Sequence, residues 1–447
     1  MTAPNVLLIL SDDQRFDFLE YMPNTRNLVA FQGRDFVHAR CNVAVCEPSR
    51  VSLLTGQYSI HNGYEDPVRS AAWRGADPAW HNNTIGRWMQ NAGYRTGLIG
   101  KYLNFTPPVI PKPVGWNTWR QLNGEGQEGF GYQVCNGSQT LLSPEQLQID
   151  YLRDEAKTFI NNSETKPWFL LWTPTSPHLA FDPDPRDLFA WSDVRWPLVI
   201  ENDDNIAKKP SWISRAPIGA ASLSSFRATA RGQLREITGL DRAIGDIIGS
   251  LTPEVLANTV VIFSSDNGLT YGEHGLPHKG IFKNCAYDVG LRVPLIIRGP
   301  GFPVGVSTAP VTIAPDITAT VLAVAGASPD VAFPPDGIDL RNMIANPSAY
   351  ENRQLLHYRG YRQAPSTVNG QAASTVNGGP IADGITTLTR KLYRCRSLQL
   401  NTEDQYEAYD LDSDPNEHLN WANEPGRLGD RMALEAALDA LLAPPEP

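Results

Sequence analysis

Residues 6–10 read Val-Leu-Leu-Ile-Leu, a short unbroken apolar run near the start of the chain. A run of that length suits a strand buried on both faces. Comparable runs recur at 96–99, 168–172, 259–265 and 293–298, that at 259–265 β-branched. Between them the period changes. Residues 84–95 set Ile85, Trp88 and Met89 on one face behind Thr84 as cap, and 149–160 are helical in pattern. From Leu234 the apolar positions Ile237, Leu240, Ile244, Ile248 and Leu251 repeat every three to four residues, the stripe of an amphipathic helix. Strands alternating with helices predict an α/β fold, its central, mostly parallel sheet flanked by helices on both faces.

The 447 residues suffice for two domains, or one large domain with an appendage. Glycine and proline number 36 each, above the usual ~12% combined share, which predicts many ordered loops. Residues 179–222 lack periodicity and read as a lid or binding wall. Residues 361–380 repeat Ser-Thr-Val-Asn-Gly twice and read as an insertion. A net charge of −10 argues against nucleic acid as a partner and against steering of a long polyanion. No apolar run reaches the ~18 residues that cross a bilayer, so no membrane partner is expected. The apolar run starts too close to Met1 for a signal peptide. A cytoplasmic protein is expected, or an exported one whose leader lies outside this sequence. Five cysteines at 41, 46, 135, 285 and 395 are odd in number and widely spaced, which is no disulfide framework.

Chemistry-bearing residues gather where the apolar runs end. The first run leads into Ser11-Asp12-Asp13-Gln14. Paired carboxylates at a strand's carboxyl end lie where α/β sheets hold ligands, and they repel unless a cation neutralises them. A helix cap beside a solvated aspartate is the simpler alternative. Lys101 follows the second run, His178 the third, and Asp266-Asn267-Gly268 the fourth. The stretch Cys46-Glu47-Pro48-Ser49-Arg50-Val51-Ser52-Leu53-Leu54-Thr55-Gly56 starts a helix at proline and serine and stops it at glycine. Cys46 is thereby expected just outside a helix N-terminus, where backbone N–H groups favour an anion. A buried structural cysteine is the alternative.

This stretch resembles the signature of the type I sulfatases, Cys-x-Pro-x-Arg followed by Leu-Thr-Gly. The resemblance implies that Cys46 is oxidised to formylglycine by a formylglycine-generating enzyme. It implies the alkaline-phosphatase-like sulfatase fold, with a catalytic domain over 1–350 and a smaller C-terminal subdomain over 351–447. That subdomain would hold an antiparallel sheet and a terminal helix. By the same resemblance Asp12, Asp13, Asp266, Asn267 and the modified Cys46 are metal ligands. Such an all-oxygen set selects Ca²⁺, with Mg²⁺ possible, over zinc. Arg50, Lys101 and Lys283 would hold the sulfate, and His178 would protonate the leaving alcohol. Lys283 matches the family spacing Lys-x-x-x-Tyr before Arg292-Val293-Pro294-Leu295, while Lys279 stays open as its rival. The reaction implied is hydrolysis of a sulfate monoester, on a small sulfated sugar or an aryl sulfate. A phosphodiesterase or phosphonate monoester hydrolase on the same scaffold is the alternative.

Within the family, Gly100-Lys101-Tyr102-Leu103-Asn104 departs from the commoner pattern with histidine two residues after the lysine. It is similar instead to the glucosamine-6-sulfatases and heparan endosulfatases. The Trp116/Trp119 segment and residues 130–137 point the same way, and the two tryptophans are candidates for a sugar face or for core packing.

Overall fold

A computed structural model of the chain describes residues 3–64, 83–104, 112–122, 132–137, 140–142, 146–178, 182–194, 208–210, 219–275, 283, 285–330, 334–359, 367–368, 371–372, 382–395 and 403–443. Lys279, most of 361–380, and 195–207 and 211–218 of the aperiodic stretch lie outside the described residues.

All five apolar runs become neighbours in one ten-stranded sheet. Its centre is parallel, in the order Thr259–Ser265, Asn5–Ser11, Trp168–Thr173, Arg95–Gly100, Thr118–Leu122. Alternation explains why these strands read as continuous apolar runs. Val6, Leu8, Leu10, Phe169, Leu171, Val260 and Ile262 pack into one core layer. Leu7, Ile9, Leu170, Trp172, Val261 and Phe263 pack into the layer on the opposite face. The first layer is covered by Cys46–Thr55, Ile85–Asn91 and Ile313–Ala325, the second by Gln148–Ile160 and Ala220–Gly249.

Two expectations change in detail. The strand Leu295–Arg298 runs antiparallel to Thr259–Ser265. Among the described residues between them the only α-helix is the four-residue Asp288–Leu291, and Leu295 pairs with Ser264 near the end of the preceding strand, so the chain re-enters the sheet from the edge where it left. A parallel return would need a full crossover. The helix expected from 234 begins at Ala220; before Leu234 it is mostly alanine, serine and threonine, with Leu223 and Phe226 its large apolar residues.

The tryptophans settle to one side. Trp116 and Trp119 are each 1% exposed, with Trp116 against Phe169 and Trp119 against Tyr102. They are core residues, and a sugar-face role for them is withdrawn. A separate antiparallel sheet, in the order Leu355–Arg359, Ala382–Thr386, Arg390–Cys395, Gln405–Asp410, packs on the helix Leu428–Leu442. Buried charge ties it to the helix Asp288–Leu291 and to Arg40. Lys391 Nζ lies 2.6 Å from both Asp288 and Glu417, and Arg40 donates to Asp288 at 2.6 and 2.9 Å. Among the described residues no helix is long and apolar enough to cross a membrane.

Candidate active site

Four adjacent strands deliver the site. Asp12 and Asp13 follow Asn5–Ser11, Asp266 and Asn267 follow Thr259–Ser265, Lys101 follows Arg95–Gly100, and His178 lies five residues beyond Trp168–Thr173. The parallel register, with Ser11 opposite Ser265 and Gly100 opposite Thr173, brings their ends level at the carboxyl edge. Gly100 makes the approach possible. At φ 121° it occupies backbone that side chains rarely adopt, and a Cβ there would lie 2.1 Å from Thr173 O. Lys101 N then donates to that same carbonyl at 2.7 Å.

The helix Cys46–Thr55 supplies the centre. Cys46 is its first residue, after Val45 as cap, rather than standing just outside it, so the helix starts two residues before the proline–serine pair. Gly56 ends it in the left-handed conformation at φ 71°, as expected. Cys46 Sγ lies 3.3 Å from Asp12 Oδ1, 3.6 Å from Asp13 Oδ1 and 3.1 Å from Lys283 Nζ. Lys101 Nζ donates to Asp12 Oδ2 at 2.5 Å, and Arg50 Nε to Asp266 Oδ2 at 2.8 Å. Arg50 also donates to Lys101 O at 2.9 Å and lies 3.4 Å from Asp12 Oδ2. Lys283 Nζ sits 2.6 Å from Asp13 Oδ2 and 2.8 Å from His178 Nε2. Every sequence-predicted residue is therefore in one cluster. Of the two candidates Lys279 and Lys283, Lys283 is in it and Lys279 lies outside the described residues.

Several supports were not legible in the motifs. Ser49 Oγ donates to Asp266 O at 2.6 Å. Asp13 adopts φ 64°, with its N–H donating to Asp266 Oδ1 at 3.1 Å and the next N–H donating to Ser265 Oγ at 2.9 Å. Such a non-glycine conformation persists only where neighbours hold it.

Burial shapes the electrostatics. Asp12, Asp13, Cys46, Arg50, Lys101, Asp266 and Asn267 are all buried, whereas His178 and Lys283 are partly exposed. Among the described residues of the site, solvent reaches these last two. Burial disfavours charge on Asp12, but Lys101, His178, Arg50 and Lys283 outweigh it and hold its carboxyl well below the ordinary range. Burial and then Asp12 push Asp266 up, against Arg50. Burial and then Lys283 push His178 down. Burial opposes the charge on Lys283, yet Asp13 holds its ammonium well above the ordinary lysine range. Burial, reinforced by Asp12, pushes the Cys46 thiol far up. With no cation beside it, an unmodified Cys46 is thus a neutral thiol and a poor nucleophile.

The donor set fits a hard cation. Ligand atoms of Asp12, Asp13, Cys46 and His178 all lie within 4.8 Å of one another. Asn267 Oδ1 is buried without a hydrogen-bond partner beside them, its Nδ2 donating to Asp13 Oδ1 at 2.8 Å. Asp266 is not in the 4.8 Å group; its oxygens are taken by Arg50 and by the backbone N–H groups of Asp13 and Asn267. Carboxylate and amide oxygens favour Ca²⁺ or Mg²⁺.

The sulfatase family model matches residues 4–327. The chain belongs to the sulfatase family. The extracellular sulfatase SULF-1 homolog of Drosophila melanogaster is 28% identical over 72% of this sulfatase and 30% of its own length. The N-acetylglucosamine-6-sulfatase of Homo sapiens is 28% identical over 72% of the chain and 61% of its own. The chain thus spans less than two thirds of the length of either relative. A solved structure in complex with its substrate D-glucosamine-2-N,6-O-disulfate superposes with a TM-score of 0.79 at 22% identity, covering 98% of this chain and 97% of that one. The architecture is accordingly that of the alkaline-phosphatase-like sulfatases.

Proposed function

We propose that this protein hydrolyses sulfate monoesters. One observation carries the reading: three cationic groups and an imidazole converge on a carboxylate-cradled Cys46 at a helix N-terminus. When Cys46 is matured to formylglycine and a divalent cation is bound by Asp12, Asp13, Asp266 and Asn267, the pair supplies a hydroxyl nucleophile of lowered pKa.

The chain's own residues do the rest. Lys101, Lys283 and Arg50 surround the position where sulfuryl oxygens would lie, and their charges oppose the negative charge that builds there in the transition state. His178, on the open side, is the proposed donor to the departing alkoxide, which a sugar needs far more than a phenol does. Burial and Lys283 favour its neutral form, so the anionic sulfuryl group must raise its pKa for that step. Asp266, whose carboxyl burial and then Asp12 push up, is the proposed base that receives a proton when sulfate is expelled.

The substrate proposed is a small sulfated sugar with a 6-O-sulfate on a glucosamine-type residue. Support comes from the Gly-Lys-Tyr-Leu-Asn stretch, from the named activity of the human relative and from the ligand of the superposed structure. Net charge of −10 favours chain ends or short fragments over an internal grip on a polyanion. The test compares sulfate release from an aryl sulfate, glucosamine 6-sulfate, choline sulfate and intact heparan sulfate, with matched phosphonate esters and phosphodiesters alongside. Preference for the glucosamine ester supports the assignment. Preference for choline sulfate or the polymer overturns the substrate, and faster phosphonate or phosphodiester turnover overturns the reaction.

A further inference from the structure

His178 lies five residues past the strand Trp168–Thr173, and the described residues 174–178 form no helix or strand. A proton donor must be held within hydrogen-bond reach of the leaving oxygen, and misplacement by about 1 Å can cost ~10²-fold in rate. Something has to hold this loop. Two polar side chains of the helix Ala220–Gly249 do so, one turn apart, Gln233 buried and Glu236 half-buried. Gln233 is fully buried among Ala230, Leu234 and Ile237. Its Nε2 donates to Pro177 O at 3.0 Å, while its Oε1 accepts from the Tyr271 hydroxyl. Tyr271 is four residues past Asn267, so this amide joins the His178 loop to the Asp266–Asn267 loop. Glu236 accepts from Ser176 Oγ at 3.0 Å and from Asp182 N at 3.0 Å, clamping the loop on both sides of His178. From the neighbouring helix, Gln148 Oε1 accepts from Thr175 Oγ1 at 2.6 Å. An amide and a carboxyl inside an apolar stripe are costly unless each is satisfied, and here the partners are supplied by the loops of the site.

We propose that Gln233 and Glu236 are positioning residues that set the reach of His178 toward the leaving group, an inference that rests on His178 acting as proton donor. They touch neither substrate nor reacting atoms. Their loss should therefore cost most where protonation matters most. A purely structural role would slow all esters alike.

The experiment measures kcat on the mature full-length enzyme with aryl sulfates of graded leaving-group pKa and with glucosamine 6-sulfate. Variants are Glu236→Ala, Glu236→Gln, Gln233→Leu and His178→Ala, with thermal unfolding as the check on folding. For Glu236→Ala the expected loss is under about 3-fold on 4-nitrophenyl sulfate and on the order of 10²-fold on the sugar ester. The dependence on leaving-group pKa should steepen. Glu236→Gln, which keeps an acceptor oxygen, should recover most of it, and Gln233→Leu should steepen the dependence as Glu236→Ala does. Should Glu236→Ala fail to fold, the Gln233→Leu and Glu236→Gln profiles decide alone. Equal loss across the series, or unchanged kinetics, overturns the positioning role. If His178→Ala steepens the dependence and the helix variants do not, this inference alone falls. If His178→Ala shows no leaving-group dependence, the proton-donor reading falls and takes this one with it.

Discussion

At the scale of single residues, Cys46 is the sharpest point of test. Burial and Asp12 keep its thiol neutral, so catalysis through an unmodified sulfur is disfavoured. The tryptic peptide 41–50 should carry an aldehyde or its hydrate in active preparations; fully active enzyme with an intact thiol would sink the mechanism. Cys46→Ala should abolish turnover and alter stability by no more than about 1–2 kcal/mol, read by thermal unfolding. Lys283→Ala should lower kcat/KM on the order of 10²–10³-fold, the usual cost of removing one transition-state donor. A near-normal Lys283→Ala beside a crippled Lys279→Ala would reassign the lysine. Chelation should remove activity and Ca²⁺ or Mg²⁺ restore it, and Asp13→Asn should weaken that restoration. Metal analysis finding zinc in active enzyme would contradict the oxygen-donor site.

At the scale of elements, the site depends on strand ends kept in register. Gly100 is the most exacting point, because its missing Cβ lets Thr173 O approach and aims Lys101 at Asp12. Gly100→Ala should destabilise the fold by roughly 1–3 kcal/mol through a forbidden backbone conformation. It should also reduce turnover by more than its effect on the folded fraction. Kinetics corrected for folded enzyme, measured by circular dichroism, would expose a result confined to stability.

Across the whole molecule, the small sheet is bound to the segment before the Cys46 helix by a buried polar contact with a pH signature. His357, in the strand Leu355–Arg359, is buried with Nδ1 3.0 Å from Cys41 O. Burial, then Lys391 and Arg40, bring it from the ordinary 6.5 down to about 3. Between those values the unfolded chain binds the extra proton. Stability from this group is therefore complete above pH 6.5 and falls as pH drops toward about 3, by at most about 1.4 kcal/mol per pH unit. His357→Asn, which keeps a donor but cannot titrate, should flatten the slope of unfolding free energy between pH 6 and 4. An unchanged slope would assign that acid sensitivity elsewhere.

The sequence by itself determined what is local. Five apolar runs were visible as strands because each is buried on both faces, and the residues at their ends were visible because a carboxylate pair, a lysine or a histidine after such a run is conspicuous. The helix around Cys46 was readable from proline and Gly56. What only the tertiary structure decided depends on contacts far apart in the chain. Trp116 and Trp119 could have faced a sugar or the core; packing against Phe169 and Tyr102 decided it. Leu295–Arg298 could not be oriented from its own apolar run, since direction is set by where the preceding loop ends. Gln233 and Glu236 looked like ordinary polar positions of a long helix. Their partners, Pro177 and Ser176, are 56 and 60 residues away, and neither has a pattern until the helix is laid against the His178 loop.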